Sequence, residues 1–482
     1  MRTKVVRVTF ALCLSIGAIA SAQPDAPDPS RAVRLDGIAQ VRAWHDRSGD
    51  EMRIGAIIDD IWSHTTAQGY SEFLASEEQV AALRAAGVRL EITDPNVQAR
   101  IDAENARLRG RVPGQFGDAA WFDDYKNLAE VHAYMGGLAA ANPALATPGV
   151  VVGKSVENRD ILAYHITGPQ QAGSSCRPLF VINGCQHARE WISPMCVVYY
   201  ADRLVSLYGV DPQVTALMDA VEFVIIPVVN PDGYEYSWNV SRFWRKNRRP
   251  NANGSFGVDL NRNWSHAWGT TLPGSAGGNA NPSSDTYWGT APFSEPETKS
   301  VSDYAASLPN LRGSNDVHSF GQLILHAWNS SPNPSPDDAV LKSMTDAQAA
   351  AIKAVHGLTY VNGRGYNILY PHSGTATDWF YAEGNAISCS FELRGPTFDP
   401  PPSTILPSAE ETFEAIKSHA SFLASAFTFI ADWDRDCEYT LFDFLGYQNS
   451  FAGGEPEADL TGDGTLDFFD FLLFQNLFAT KK

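Results

Sequence analysis

Residues 179–192 read LFVINGCQHAREWI: an uninterrupted apolar run, Leu179 to Ile182, leads straight into a histidine, an arginine and a glutamate within four positions. A short apolar run bounded by Gly184 predicts a buried strand. Strong polar side chains at the end of such a strand need compensation, because unpaired charge is costly to bury. Outward from this point the pattern alternates. It predicts a helix from Asn127 to Ala141, strands near Val150 and Ile161, a helix from Pro194 to Tyr208, and a strand in VEFVIIPVV at 221–229. Such alternation indicates an α/β sheet with helices on both faces. Ligand sites in these sheets lie outside the carboxyl ends of the strands, which is where His187 falls.

The chain has 482 residues, more than one hydrophobic core usually serves, so appendages are expected on a main domain. Arg2, Lys4 and Arg7, an apolar stretch from Val8 to Ala20 and the small residues Ala20, Ser21 and Ala22 read as a secretory signal over 1–22. No later run is long and uncharged enough to span a bilayer, so a secreted, soluble product with no membrane span is expected. A formal charge of -19 argues against nucleic acid as a partner. The one basic cluster, Arg242, Arg245, Lys246, Arg248 and Arg249, reads as a solvated face with one exception taken up below. Without the signal the chain keeps Cys176, Cys185, Cys196, Cys389 and Cys437, an odd number, so at least one thiol is free.

A small unit is predicted over 33–110. Ser76 and Gln79 form a capping box, Val80, Leu83 and Ala86 keep a helical period, and Gly87 suits the stop. Val88, Leu90 and Ile92 alternate as a strand, and Asp94-Pro95 can cap a second helix running through Ala103. RLRGRVPGQFG, residues 107–117, has the composition of an exposed, cleavable connector. The main domain is expected over 115–428. In the tail, 431–480, LFDFLGYQNSFA from Leu441 returns as FFDFLLFQNLFA from Phe468, each copy preceded by acids; from Asp432 onward there are eleven acids against three bases.

His187 and Glu190 stand three apart at a predicted strand-to-helix turn, so both can converge on one point. A catalytic zinc takes three protein ligands and leaves a position open. The pair alone also arises by chance. Six further segments accompany it: NPDGYEY (230–236), RFWRKNR (242–248), GVDLNRNW (257–264), DVHSFGQ (316–322), YPHSGTATDW (370–379) and SFELR (390–394). In this order and approximate spacing, residues 115 to about 425 resemble the zinc metallocarboxypeptidases, in particular their pancreatic and bacterial digestive branch.

That resemblance implies a mixed, mostly parallel sheet with helices on both faces, and His187, Glu190 and His318 as ligands of one Zn²⁺. It makes Asp259 the carboxylate that orients the first histidine. Glu392 becomes the general base, taking a proton from the attacking water and passing it to the leaving amine. The sequence itself places Glu392 with Ser388 and Ser390 on the polar face of a strand. Arg245 is implied to stabilise the developing oxyanion. Asn261 and Arg262 anchor the terminal carboxylate of a peptide substrate, Tyr370 closes over it, and Arg189 is an auxiliary contact. Thr377 aligns with the floor of the side-chain pocket; a small neutral floor suits apolar or aromatic C-terminal residues, or a broad mixture. His326 and His372 match no ligand position and read as surface or core histidines.

The 33–110 unit resembles the activation domain of the same family in position and element order, which implies a zymogen cut near Arg109 or Arg111 by an activating protease; a permanent accessory domain is the alternative. In the tail, Asp459, Thr461, Asp463, Gly464, Asp467 and Asp470 occupy positions 1, 3, 5, 6, 9 and 12 of a calcium loop. Asp432, Asp434, Asp436, Thr440 and Asp443 repeat the pattern, with Cys437 where glycine belongs. The repeat resembles a dockerin, an all-α pair of Ca²⁺ loops serving a cell-surface or assembly partner; a merely solvating acidic tail is the alternative. For the whole chain, a zinc amidase acting on cell-wall peptides and an inactive carrier of a binding module compete with the carboxypeptidase reading. Asn261, Arg262 and Tyr370 argue against the first, and Glu392 with the complete ligand set against the second.

Overall fold

The computed structural model describes residues 33–58, 60–63, 69–112, 114–118, 120–169, 176–272, 277–427, 432–434, 440–461 and 463–480. The signal sequence and the linker after it, Asp436 and Cys437 lie outside these residues.

The N-terminal unit comprises β1 (Ile38–Trp44), α1 (Asp50–Gly55), β2 (Ile61–Ser63), β3 (Tyr70–Ser76), α2 (Glu77–Ala85), β4 (Leu90–Asp94) and α3 (Val97–Gly110). Its antiparallel sheet has the order β2-β3-β1-β4 and encloses its own core of Val41, Phe73, Val80 and Leu83, among others. The Ser76/Gln79 capping box forms as its spacing predicts, and Gly87 stops α2 with a left-handed φ of 72°. α3 differs from expectation. Its cap is Asn96, whose side chain accepts from Ala99 N; Asp94 instead accepts from Asn96 N in the turn before it. The helix also runs on to Gly110, because Leu108 has a buried site to occupy. The connector is therefore shorter than its composition suggests: Arg109 is exposed in the last helical turn, and Arg111 pairs with Glu130.

The main domain continues with α4 (Leu128–Ala141), β5 (Val150–Lys154), β6 (Asp160–Ile166), β7 (Leu179–Gly184), α5 (Ile192–Leu207), α6 (Pro212–Ala220), β8 (Glu222–Ile226), α7 (Pro231–Asn239), α8 (Pro296–Ser307), β9 (Leu311–Ser319), β10 (Leu323–His326), α9 (Asp338–His356), β11 (Val361–Arg364), α10 (Gly365–Ile368), α11 (Ala376–Ala382), β12 (Ile387–Leu393) and α12 (Ile405–Ala426). The sheet order is β11-β10-β12-β9-β7-β8-β6-β5. The central run β12-β9-β7-β8 is parallel, as is β10-β11; the pairs β10-β12, β6-β8 and β5-β6 are antiparallel. Every residue of β7 is buried because alternate side chains enter different cores. Phe180 and Ile182 join the core that includes residues of α4, α5 and α12, whereas Leu179 and Val181 join the one that includes residues of α8 and α11.

The parallel centre aligns the carboxyl ends of β7, β9 and β12 on one side. His187 follows β7, His318 is the penultimate residue of β9, and Glu392, penultimate in β12, pairs with it in register. In the tail, α13 (Leu441–Gly453) and α14 (Phe468–Thr480) pack through equivalent residues of the two repeats, with Tyr447 stacked on Phe474 at 4.0 Å between ring centroids. Among the described residues no helix is long and apolar enough to cross a membrane. Cys185, Cys196 and Cys389 are free and buried, and Cys176 is disulfide-bonded.

Candidate metal centre and active site

The turn after β7 is set by Cys185, whose φ of 57° is rare for a residue with a Cβ. Its N–H donates to Ser193 Oγ at 3.0 Å and its carbonyl accepts from Asn230 N, so the surroundings hold the conformation in place. The reversal brings His187 and Glu190 back over the strand end.

Three groups then face one point. Glu190 Oε1 lies 2.8 Å from His187 Nδ1, Glu190 Oε2 lies 3.0 Å from His318 Nδ1, and the two Nδ1 atoms are 3.1 Å apart. Each imidazole is held from behind through Nε2, His187 by Asp259 at 3.0 Å and His318 by Asp316 at 2.7 Å. A carboxylate only accepts, so both Nε2 atoms carry hydrogen and both Nδ1 lone pairs are left facing Glu190's oxygens. Three buried acceptor groups without a donor between them require a cation. Without a metal that cation is a proton on His318: burial opposes it, but Asp316 and Glu190 raise its pKa well above the ordinary value. Despite its burial, Glu190 is held well below the carboxylate range by His187 and then His318. A divalent ion taking Nδ1, Nδ1 and the carboxylate would displace that proton and leave a side open toward the cleft, so this donor set fits zinc.

Asp259 also accepts from Arg245 Nε at 3.1 Å and Arg245 Nη2 at 2.8 Å, and its Oδ1 accepts from Asn261 N. Arg262 donates to Asn261 O at 2.7 Å and to the Tyr370 hydroxyl at 2.9 Å, while its Nε is buried without a partner among the described residues. Asn261 accepts from Ala376 N at 2.9 Å, and its Nδ2 lies 3.2 Å from His318 Nε2. Arg245, Asn261, Arg262 and Tyr370 line one cavity with Glu392, Leu369, His372, Ser319 and two of the triad, His187 and Glu190. Burial, reinforced by Glu190's charge and opposed by His318, pushes the Glu392 carboxyl up to about 8. Thr377 is buried in the first turn of α11, one residue past Ala376, and is not among the lining residues.

One reading is corrected. Arg242, Lys246, Arg248 and Arg249 do not form a solvated face. Arg242 is buried over the Trp191 ring at 3.6 Å and donates to Glu104, Arg189 O and Phe398 O; Lys246 donates to the carbonyls of Pro282 and Ser284. Arg249 pairs with Glu295, and Arg248 lies over the Tyr236 ring. Asp316 was not singled out by sequence reasoning, although it stands two before His318 on one strand and so shares its face. Asn183 and Gln186 each donate to it at 2.6 Å, fixing its carboxylate for the histidine.

The N-terminal unit reaches into the same cleft. Asp60 grips Arg189 through two oxygens, at 2.6 and 3.1 Å, and accepts from Trp62 Nε1 at 3.0 Å. Trp62 is one wall of the cavity and packs on Phe243 and Phe398, with Val97 and Ile101 of α3 in the same cluster. Arg242–Glu104 and Arg100–Asp399 tie the two units on either side. The remaining cavity of about 50 Å³ has room for a few waters and not for a peptide residue.

Residues 131–415 match the zinc carboxypeptidase family. Carboxypeptidase A1 of Rattus norvegicus is 33% identical over 336 residues, covering 68% of this chain and 78% of that protein. A metallocarboxypeptidase A-like protein of Trichophyton verrucosum is 31% identical over 418 residues, 82% of this chain and 95% of its own. The crystal structure of carboxypeptidase A from Helicoverpa armigera superposes with a TM-score of 0.72 at 29% identity, covering 82% of this chain and all of that one. With the family's model matching more than half of the chain and the fold in agreement, this chain belongs to the zinc carboxypeptidase family.

Proposed function

We propose that the protein is a secreted proenzyme which, once cut between its N-terminal unit and main domain, removes single residues from the C-termini of peptides. The observation that carries the reading is that His187 and Glu190, clustered with His318, share one cavity with Glu392, Arg245 and the Asn261/Arg262/Tyr370 group. Held by His187, Glu190 and His318, zinc would polarise the scissile carbonyl and acidify the attacking water. Glu392 takes that water's proton and delivers it to the leaving amine. Arg245, braced by Asp259, faces the negative charge that develops on the carbonyl oxygen. Arg262, with Asn261 and Tyr370 beside it, pairs with the terminal carboxylate and so restricts cleavage to chain ends. A cell-wall amidase would not need this carboxylate anchor. The released residue is apolar, aromatic or mixed, since among the described residues no acid lines the cavity beyond Glu190 and Glu392.

The proenzyme reading rests on Asp60 and Trp62 filling the cleft and on the exposed Arg109, where an activating protease would cut. The likeness to the Helicoverpa armigera structure also covers more of this chain than residues 115–427 supply.

The test uses chain cut at the connector, with matched peptides bearing free or amidated C-termini. The free peptide is expected to lose its last residue, the amidated one to react at least about a hundredfold more slowly, and chelator to abolish both. Equal cleavage of the two peptides would sink the exopeptidase reading.

For the tail we propose Ca²⁺ in the loops preceding α13 and α14. Asp432, Asp434 and Asp443 present oxygens within 4.8 Å of one another; the acids of the second loop, Asp459, Asp463, Asp467 and Asp470, form no such group among the described residues. The two position-12 aspartates are used alike, Asp443 accepting from Asp434 N and Thr440 N, Asp470 from Thr461 N and Asp467 N. Leu441, Phe442, Phe468 and Phe469 are exposed at equivalent positions of the repeats, consistent with attachment to a cell-surface or assembly partner. Calcium is expected to raise the tail's melting temperature by several degrees, and an unchanged transition at millimolar Ca²⁺ would refute the assignment.

A further inference from the structure

The carboxypeptidase reading gives no task to two polar side chains that line the cavity, Ser319 and His372. His372 is 4% exposed and lines the cavity beside Leu369, Tyr370 and Arg262. Once Arg262 holds the terminal carboxylate and the triad faces the scissile carbonyl, two substituents of the terminal Cα are placed. The upstream chain leaves toward the Trp62 side, where the N-terminal unit docks. The terminal side chain is left with the wall formed by Leu369 and His372.

The chemistry of that wall follows from the imidazole's bonds. His372 N donates to Asn329 O at 3.0 Å, which fixes the backbone, and Nδ1 lies 2.6 Å from Tyr370 O. A carbonyl oxygen only accepts, so Nδ1 carries the hydrogen and Nε2 is a lone pair in the neutral ring. Burial, followed by the charge of Arg262, holds the ring neutral by keeping its pKa well below the ordinary histidine value. Nε2 makes no hydrogen bond among the described residues, so on a residue that lines the cavity it is an acceptor available to a donor that enters.

Resting on the carboxypeptidase reading, we propose that His372 determines specificity by accepting a hydrogen bond at Nε2 from a neutral donor on the C-terminal side chain, an amide or a phenol. Acidic side chains bring only further acceptors. Basic ones meet Arg262 and, among the described residues, find no acid lining the cavity except Glu190 and Glu392, which the chemistry uses. The preferred substrates are therefore peptides ending in asparagine, glutamine or tyrosine rather than in their isosteres leucine, methionine or phenylalanine.

The experiment uses connector-cut enzyme loaded with zinc and peptides identical but for the last residue, in the pairs Asn/Leu and Tyr/Phe. Wild type is expected to favour the donor-bearing member of at least one pair by about tenfold in kcat/KM, and His372→Phe to reduce that ratio to near one while still releasing the apolar member. Ratios near one for both pairs in wild type, or a preference undiminished in His372→Phe, would overturn the proposal. In both cases the enzyme still releases C-terminal residues, so the carboxypeptidase reading stands. Failure of wild type to release any residue counts against that reading, and this inference falls with it.

Discussion

Replacing Glu392 by glutamine is expected to lower kcat/KM of the cut enzyme by roughly two to four orders of magnitude while leaving one zinc bound per chain. The amide keeps the size of the side chain and its place in β12 opposite His318, so the sheet and the triad should be undisturbed. What is lost is the site that takes a proton. The pH profile separates this role from mere positioning. In the metal-free arrangement burial and Glu190 push the carboxyl up to about 8, and a bound dication would draw it down. As a base, Glu392 must be ionised to act, so the wild-type rate should climb with pH on an acid limb whose midpoint lies below 8. That limb should vanish in Glu392→Gln. Stopped-assay kinetics from pH 4 to 9 with zinc content measured in parallel provide the check. A variant within tenfold of wild type would remove Glu392 from the mechanism.

Much of the site was legible because each of its parts obeys a local rule. The apolar run before Gly184 is a strand buried on both faces, and alternation along ISCSFEL does put Glu392 on the face opposite Cys389, Phe391 and Leu393, which enter the core. The meeting of His187 with His318 was not a property of either segment; it depends on β7 and β9 being parallel neighbours, which the sequence could suggest only through resemblance. Local reading failed where tertiary partners decide. Arg242 and its basic neighbours read as a solvated face, yet they are sequestered by carbonyls, aromatic rings and two acids, Glu104 and Glu295, far away in the chain. Asn96 displaced Asp94 as cap because Asp94 is taken up by the turn and by Arg100. Asp60 carried no signal at all: its meaning comes only from facing Arg189.

That contact leads to the second large effect. In the uncut chain a substrate can enter only from the fraction of molecules whose N-terminal unit has swung aside, and apparent affinity falls in proportion to that fraction. Asp60→Ala removes two charge-assisted hydrogen bonds to Arg189, so the open fraction, and with it kcat/KM of the uncut chain on a short peptide, is expected to rise about ten- to a hundredfold. The cut enzyme should be unaffected. pH should act on the same contact, since Asp285 approaches the same Arg189 nitrogen at 3.9 Å. Burial and then Asp60's charge push the Asp285 carboxyl up to about 6; with the N-terminal unit displaced it returns toward the ordinary carboxylate value. Docking therefore takes up a proton. Its contribution is complete below about pH 4, the ordinary carboxylate pKa, and is lost as pH rises through about 6. Glu104, raised by burial against Arg242, has the same sign. Asp60 has the opposite one: burial works against it, but Arg189 holds it below the ordinary value, so its contribution is lost in acid. The N-terminal unit is thus held tightest near pH 4 to 5, and the ratio of uncut to cut activity should grow toward pH 7, with Asp285→Asn flattening the rise. An uncut Asp60→Ala chain as slow as wild type, beside a normal cut enzyme, would show that Arg189 is not what holds the cleft shut.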